Sequence, residues 1–106
     1  MNITGRAEND ITFVTITGDI DMFNAKQFKE ELYGQLWKQE TGGMRLDMRD
    51  VNYMDSSGLG VLFAFVKAVK KTGKIIWVTN LNDKITNVII LAGMNKIIFG
   101  TTDEGI

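Results

Sequence analysis

Short β-branched and aromatic runs alternate along this chain with stretches whose apolar residues recur every three or four positions. That alternation limits the fold more than any other feature. Ile11 to Thr17 (ITFVTIT) reads as a strand closed by Gly18. A weaker strand near Asn2 to Arg6 precedes it, with a hairpin turn at Glu8-Asn9-Asp10. Asp21 to Gln39 reads as a helix with the apolar stripe Ala25, Phe28, Leu32 and Leu36. Asp21 or Asn24 can cap its first free N–H groups, and Gly42-Gly43 ends the element. Met44 to Met48 alternates, with Met44, Leu46 and Met48 on one side and Arg45, Asp47 and Arg49 on the other, as a strand with one face in the core does. Ser56 to Thr72 reads as a second helix with the inner stripe Leu59, Leu62, Phe63, Val66 and Val69. Lys67, Lys70 and Lys71 crowd its C-terminal end, and Gly73 stops it. Lys74 to Thr79 is a short apolar strand. Asn82 to Ala92 is a third helix whose apolar set is Leu81, Ile85, Val88, Ile89 and Ala92, and Ile97 to Phe99 reads as a last short strand. The order is ββαβαβαβ. Alternating strands and helices imply parallel crossovers, and the N-terminal hairpin makes the sheet mixed.

Composition narrows the chemistry. The 106 residues contain no Cys and no His. A Ser-His-Asp triad, a thiol nucleophile and a Cys/His zinc site are therefore excluded within this chain, while oxygen-only Mg²⁺ or Ca²⁺ sites stay open. Twelve basic residues against thirteen acidic ones make a net charge of −1, a poor match to nucleic acid, which needs a clustered basic surface. No stretch approaches the roughly 18 apolar residues of a membrane span, and the polar segment Met1 to Asp10 holds no apolar signal core. The expectation is a cytoplasmic protein of one domain, residues 1–106, without membrane insertion.

The chemistry-bearing segment is Asn52-Tyr53-Met54-Asp55-Ser56-Ser57-Gly58-Leu59-Gly60, which joins a strand to the second helix. Free N–H groups and the positive end of the helix dipole make this place receptive to an anion, including a phosphate on Ser56 or Ser57. Three readings compete. Asp55 or Ser56 acts only as an N-cap, the ordinary meaning of such residues. Alternatively, the loop cradles a phosphate, although Gly58-Leu59-Gly60 is only a fragment of G-x-G-x-x-G and no Lys sits at P-loop spacing. Or a serine is a nucleophile, which the missing G-x-S-x-G elbow and the missing His oppose.

Met54-Asp55-Ser56-Ser57-Gly58-Leu59-Gly60-Val61 resembles the signature of the STAS domain family, specifically its single-domain bacterial anti-sigma factor antagonists. Gly18-Asp19-Ile20-Asp21, Leu46-Asp47-Met48 and Leu91-Ala92-Gly93-Met94 with Lys96-Ile97-Ile98 match other family segments in order, so the likeness covers nearly the whole chain. The resemblance implies an α/β fold, a small mixed sheet with helices mainly on one face. It also implies a partner switch without enzymatic activity or cofactor of its own. The unphosphorylated antagonist binds an anti-sigma factor that is itself a serine kinase, and the sigma factor is released. The kinase phosphorylates the Ser after the signature Asp, here Ser56; a metal-dependent serine phosphatase reverses this. Ser57 fills a position where the family tolerates Ala. Asp21, Asp55, Ser57 and Gly58 are then expected to shape the site. Met22, Phe23, Tyr53 and Met54 cluster near Ser56 by connectivity, either as partner contacts or as core and cap-packing residues, with Phe23 a candidate staple on its own helix. Two other family roles stay open: a phosphorylation-independent subunit of a transporter, and a partner switch with an output other than a sigma factor. A nucleotide-binding or hydrolytic domain of the same family is a further rival.

Overall fold

The computed structural model describes residues 1–38 and 40–99. Four strands, β1 (Asn2–Glu8), β2 (Ile11–Thr17), β3 (Gly43–Asp50) and β4 (Ile75–Thr79), lie side by side in the order β1-β2-β3-β4. β1 and β2 are antiparallel; β2 with β3 and β3 with β4 are parallel. The hairpin turn is two residues long. Asn9 and Asp10 both adopt positive φ (52° and 65°), the geometry whose twist matches that of paired strands. Glu8 therefore belongs to β1, and the strand runs two residues beyond the expected Arg6.

The crossovers are α1 (Ala25–Lys38) and α2 (Ser56–Lys71); α3 (Asp83–Leu91) follows β4 and leads into a single turn, α4 (Asn95–Ile98). Val14, Ile16, Leu46, Met48, Ile76 and Val78 alternate along the strands and are buried beneath the helices, which contribute Phe28, Leu32, Leu36, Leu62, Phe65, Val66, Val69, Ile85 and Ile89. The mixed sheet with helices on one face is the expected fold.

Four local expectations are corrected. Ile97 to Phe99 is not a strand. Gly93 adopts φ 73°, and the chain reverses through bonds from Gly93 N to Ile90 O (3.0 Å) and from Met94 N to Ile89 O (3.0 Å), which satisfy the last carbonyls of α3. The next residues wind into α4, which buries Ile98, and Lys70 Nζ donates to Ile97 O (3.2 Å). A short apolar run has no period long enough to separate helix from strand. In α2 the buried aromatic is Phe65, whose ring meets Tyr33 edge-on at 5.1 Å; Phe63 is half-buried with Lys67 Nζ over its ring. Val88 of α3 and its C-cap Ala92 are exposed, so Ile85 and Ile89 carry that helix onto the core. Finally, α1 begins at Ala25 because Asp21–Asn24 forms a turn, and its expected end at Gln39 lies outside the described residues.

Candidate functional site

The loop after β2 and the loop after β3 run together at one end of the sheet. Ile20 N donates to Tyr53 O (3.0 Å) and Asp55 N donates to Ile20 O (3.1 Å), so Ile20 and Met54 form a parallel bridge outside the strands. The turn leading into α1 ties itself down. Asp21 Oδ1 accepts from Phe23 N (2.9 Å), Asn24 Oδ1 accepts from Asp21 N (2.9 Å), and Asn24 Nδ2 donates to Asp19 O (2.9 Å). From the other side, Asn82 Nδ2 reaches Val51 O (3.3 Å) and Asn52 O (3.2 Å), while its Oδ1 caps α3 at Ile85 N (2.8 Å). Asn82→Ala removes both a helix cap and two donors. A loss of about 1–2 kcal/mol is expected in urea unfolding, and Asn82→Asp, which keeps the cap acceptor but turns a carboxylate oxygen toward the Val51 and Asn52 carbonyls, is expected to lose stability as well.

Asp55 organises the centre. Its Oδ1 accepts from Ser57 N (2.9 Å) and Gly58 N (3.2 Å), making it the N-cap of α2, and its Oδ2 accepts from Met22 N (3.0 Å) on the opposite loop. The capping role read from sequence is correct, and the bond to Met22 adds a tie between the two loops. Two anion-receptive donors of this helix start, Ser57 N and Gly58 N, are thus already engaged by a carboxylate of the chain itself. Ser56 follows directly as the first residue of α2, with an exposed side chain, and Ser57 is half-buried beside it.

Gly58 is buried against this junction. A Cβ there would lie 2.7 Å from Ile20 Cγ2 and 2.8 Å from Met54 Cγ, closer than carbon atoms approach. At Gly60, two residues on, a Cβ would meet nothing within 4 Å. Gly58→Ala is expected to destabilise the fold by about 1–3 kcal/mol through overpacking. Gly60→Ala, in the same helix, is expected to stabilise it by about 0.5–1 kcal/mol. Thermal melts of the two variants that move in the same direction would contradict this packing argument.

Three large apolar side chains are exposed on the two loops beside Ser56. Met22 is 69% exposed, Phe23 89% and Tyr53 49%. Phe23 therefore does not staple its own helix. Met54 departs from the other three: it is 5% exposed and belongs to the core, where it closes over Gly58, and it is not a partner contact. A shallow groove of about 320 Å³ continues from Ser57 between α1 and α2, lined by Lys29, Tyr33, Gly60, Val61 and Ala64. Sequence reasoning missed this groove. Its signal is the set of small residues Ser57, Gly60 and Ala64 on one side of α2. Among the described residues no group of acidic side chains is arranged to hold a metal ion, and no helix is long and apolar enough to cross a membrane.

A mixed four-stranded sheet with helices on one side, and an exposed serine behind an Asp cap, make a small α/β domain. The chain belongs to the STAS domain family, whose family model matches residues 2–105. The anti-sigma-B factor antagonist of Bacillus subtilis strain 168 is 36% identical over 91 residues, covering 86% of this chain and 81% of that one. That of Listeria monocytogenes is 28% identical over 99 residues, covering 92% and 85%. Both relatives carry the name of an antagonist of an anti-sigma factor. Among solved structures, an anti-sigma factor antagonist from Mycobacterium paratuberculosis superposes with a TM-score of 0.77 at 21% identity, covering 92% of this chain and 81% of that one. The anti-sigma factor antagonist SpoIIAA superposes at 12% identity in both its forms. Its unphosphorylated form has a TM-score of 0.66 (85% and 83% covered), and its phosphorylated form, from Bacillus, 0.68 (92% and 88%). At these identities the superpositions establish the fold.

Proposed function

We propose that this chain, acting as a single domain in the cytoplasm, is an anti-sigma factor antagonist in a phosphorylation-dependent partner switch. The observation that carries the reading is the placement of Ser56. It is exposed at the N-terminus of α2 and bordered by exposed Met22, Phe23 and Tyr53, in a chain 36% identical to an anti-sigma-B factor antagonist. The unphosphorylated face docks on an anti-sigma factor that is also a serine kinase, and the sigma factor is released. The kinase brings ATP and Mg²⁺ and transfers phosphate to the Ser56 hydroxyl; a metal-dependent phosphatase removes it. Asp55 holds the loop, Asp21 holds the turn that presents Met22 and Phe23, and Gly58 lets α2 start against Ile20.

The phosphate does not need to refold the domain. It adds about 1.5 to 2 negative charges beside Asp55, whose carboxylate already occupies the Ser57 and Gly58 N–H groups. Repulsion is then offset only by the helix dipole, and the burden falls on the contact surface. The test is to incubate the protein with each candidate serine kinase of its genome and ATP, then map the phosphate by mass spectrometry. One phosphate, on Ser56, is expected; none on Ser56 with any kinase overturns the reading. Comparing amide NMR spectra of the two free forms is expected to show changes confined to the loops at 19–24 and 52–60, and shifts spread through the core would refute a local switch.

A further inference from the structure

The six methionines of the chain divide sharply between core and surface. Met44, Met48 and Met54 are buried in the core, and Met1 and Met94 are partly buried against it. Met22 is 69% exposed. The chain has no cysteine, so these thioethers are all of its sulfur and the groups a peroxide oxidises first. Five of them are shielded to different degrees, and one faces water.

The exposed thioether stands at the centre of the candidate site. Met22 N donates to Asp55 Oδ2 (3.0 Å), and Asp55 caps the helix whose first residue is Ser56. The turn around it is ordered: Phe23 N and Asn24 N both donate to Asp21 Oδ1 (2.9 and 3.3 Å). Met22 therefore belongs to the same exposed apolar set as Phe23 and Tyr53. A methionine in such a place is a flexible, polarizable contact that fits itself to an apolar partner surface.

Oxidation reverses that property. The sulfur lone pair attacks one oxygen of hydrogen peroxide, the O–O bond breaks, and water leaves with the second oxygen. The sulfur has lost two electrons and the peroxide has gained them. The product sulfoxide is polar and chiral, and its oxygen is a strong acceptor. Exposed to water it costs the fold nothing, but covered by an apolar surface it is desolvated without a donor. A methionine sulfoxide reductase, with a dithiol as reductant, returns the thioether.

We propose that Met22 is a reversible peroxide-modified site and that its sulfoxide closes the docking face beside Ser56. The proposal rests on the reading of that face as the contact for the anti-sigma factor kinase. It adds a second input to it: the phosphate acts through charge, and the sulfoxide acts through lost apolar contact at unchanged charge. Docking and oxidation exclude each other, because the partner that covers Met22 also shields its sulfur.

The test treats the free protein with hydrogen peroxide, removes the peroxide, and maps oxygen uptake by peptide mass spectrometry at successive times. Met22 is expected to oxidise at least about tenfold faster than Met44, Met48 and Met54, which react only when the core opens. A saturating amount of the kinase is expected to slow Met22 oxidation about tenfold. In calorimetric titration the Met22 sulfoxide form is expected to bind the kinase about tenfold or more weakly, and reductase treatment is expected to restore the affinity. Met22→Leu has no thioether at this position, and its affinity, whatever its starting value, is expected to stay the same after peroxide. Met22 oxidising no faster than the core methionines would overturn the site. Equal affinity of the oxidised and reduced parent, or equal losses in the oxidised parent and oxidised Met22→Leu, would overturn the switch while leaving the Ser56 reading intact. If no such kinase binds even the unmodified chain, the docking reading falls and the Met22 switch falls with it.

Discussion

Phosphorylation of Ser56 is expected to weaken binding to the anti-sigma factor kinase by about 100-fold or more, a cost of about 2.7 kcal/mol. Three features set that size. The hydroxyl is exposed at the first position of α2, so the phosphate projects into whatever surface covers Met22, Phe23 and Tyr53. Asp55 has already taken the Ser57 and Gly58 N–H groups, two of the donors that a phosphate would seek at a helix start, so the new charge meets a carboxylate beside them. Placing like charge in a desolvated contact costs several kcal/mol. Ser56→Asp adds only one charge on a shorter arm and is expected to bind more weakly than the parent but better than the phosphoprotein. Ser56→Ala is expected to retain binding. Calorimetric titration of all four forms against the kinase checks the order, and equal affinity of the Ala and Asp variants would remove charge as the basis of the switch.

Phe23→Ala is expected to lower the same affinity by about 2 kcal/mol, roughly 30-fold, while leaving the unfolding free energy within about 0.5 kcal/mol of the parent. The side chain is 89% exposed on a turn held by its own hydrogen bonds, so truncation removes no core contact and disturbs no cap. A large apolar side chain held out on an ordered turn loses little entropy on docking, which is the property of an interface anchor. Met54→Ala is the contrasting case. It is buried between Ile20 and Gly58, and its loss is expected in stability, about 2–5 kcal/mol, before it is seen in binding. A Phe23→Ala variant that melts early but binds normally would place Phe23 in the fold and outside the interface.

Much of this architecture is written in local patterns. The alternation of Met44, Leu46 and Met48 with Arg45 and Asp47 fixes both the strand and its buried side. The spacing of Phe28, Leu32 and Leu36 does the same for α1. Asp55 before two serines and a glycine marks the start of α2. What stayed hidden depends on partners distant in sequence. Met54 and Tyr53 are adjacent, apolar and equally plausible as contacts, yet one is clamped by Ile20 and Gly58 while the other faces out. Phe63 and Phe65 both fit a helical stripe through Leu62 and Val66, and the position of Tyr33 on α1 decides between them. The run Lys96-Ile97-Ile98 carries strand-like side chains, but the reversal at Gly93 delivers it to α2 as a helical turn. The groove between α1 and α2 is a space between two elements: the small residues Ser57, Gly60 and Ala64 of α2 form one wall, but only α1, with Lys29 and Tyr33, makes that wall a groove.

The bond from Met22 N to Asp55 Oδ2 offers a gauge of the proposed switch. Met22 lies on an exposed turn, where an amide ordinarily trades its hydrogen with water quickly, yet this one is held by a carboxylate thirty-three positions away along the chain. Any event that pulls Asp55 aside releases it. Under the proposed switch, a phosphate on Ser56 that repels Asp55 is expected to speed exchange of that single amide in the free protein, with no partner in the tube.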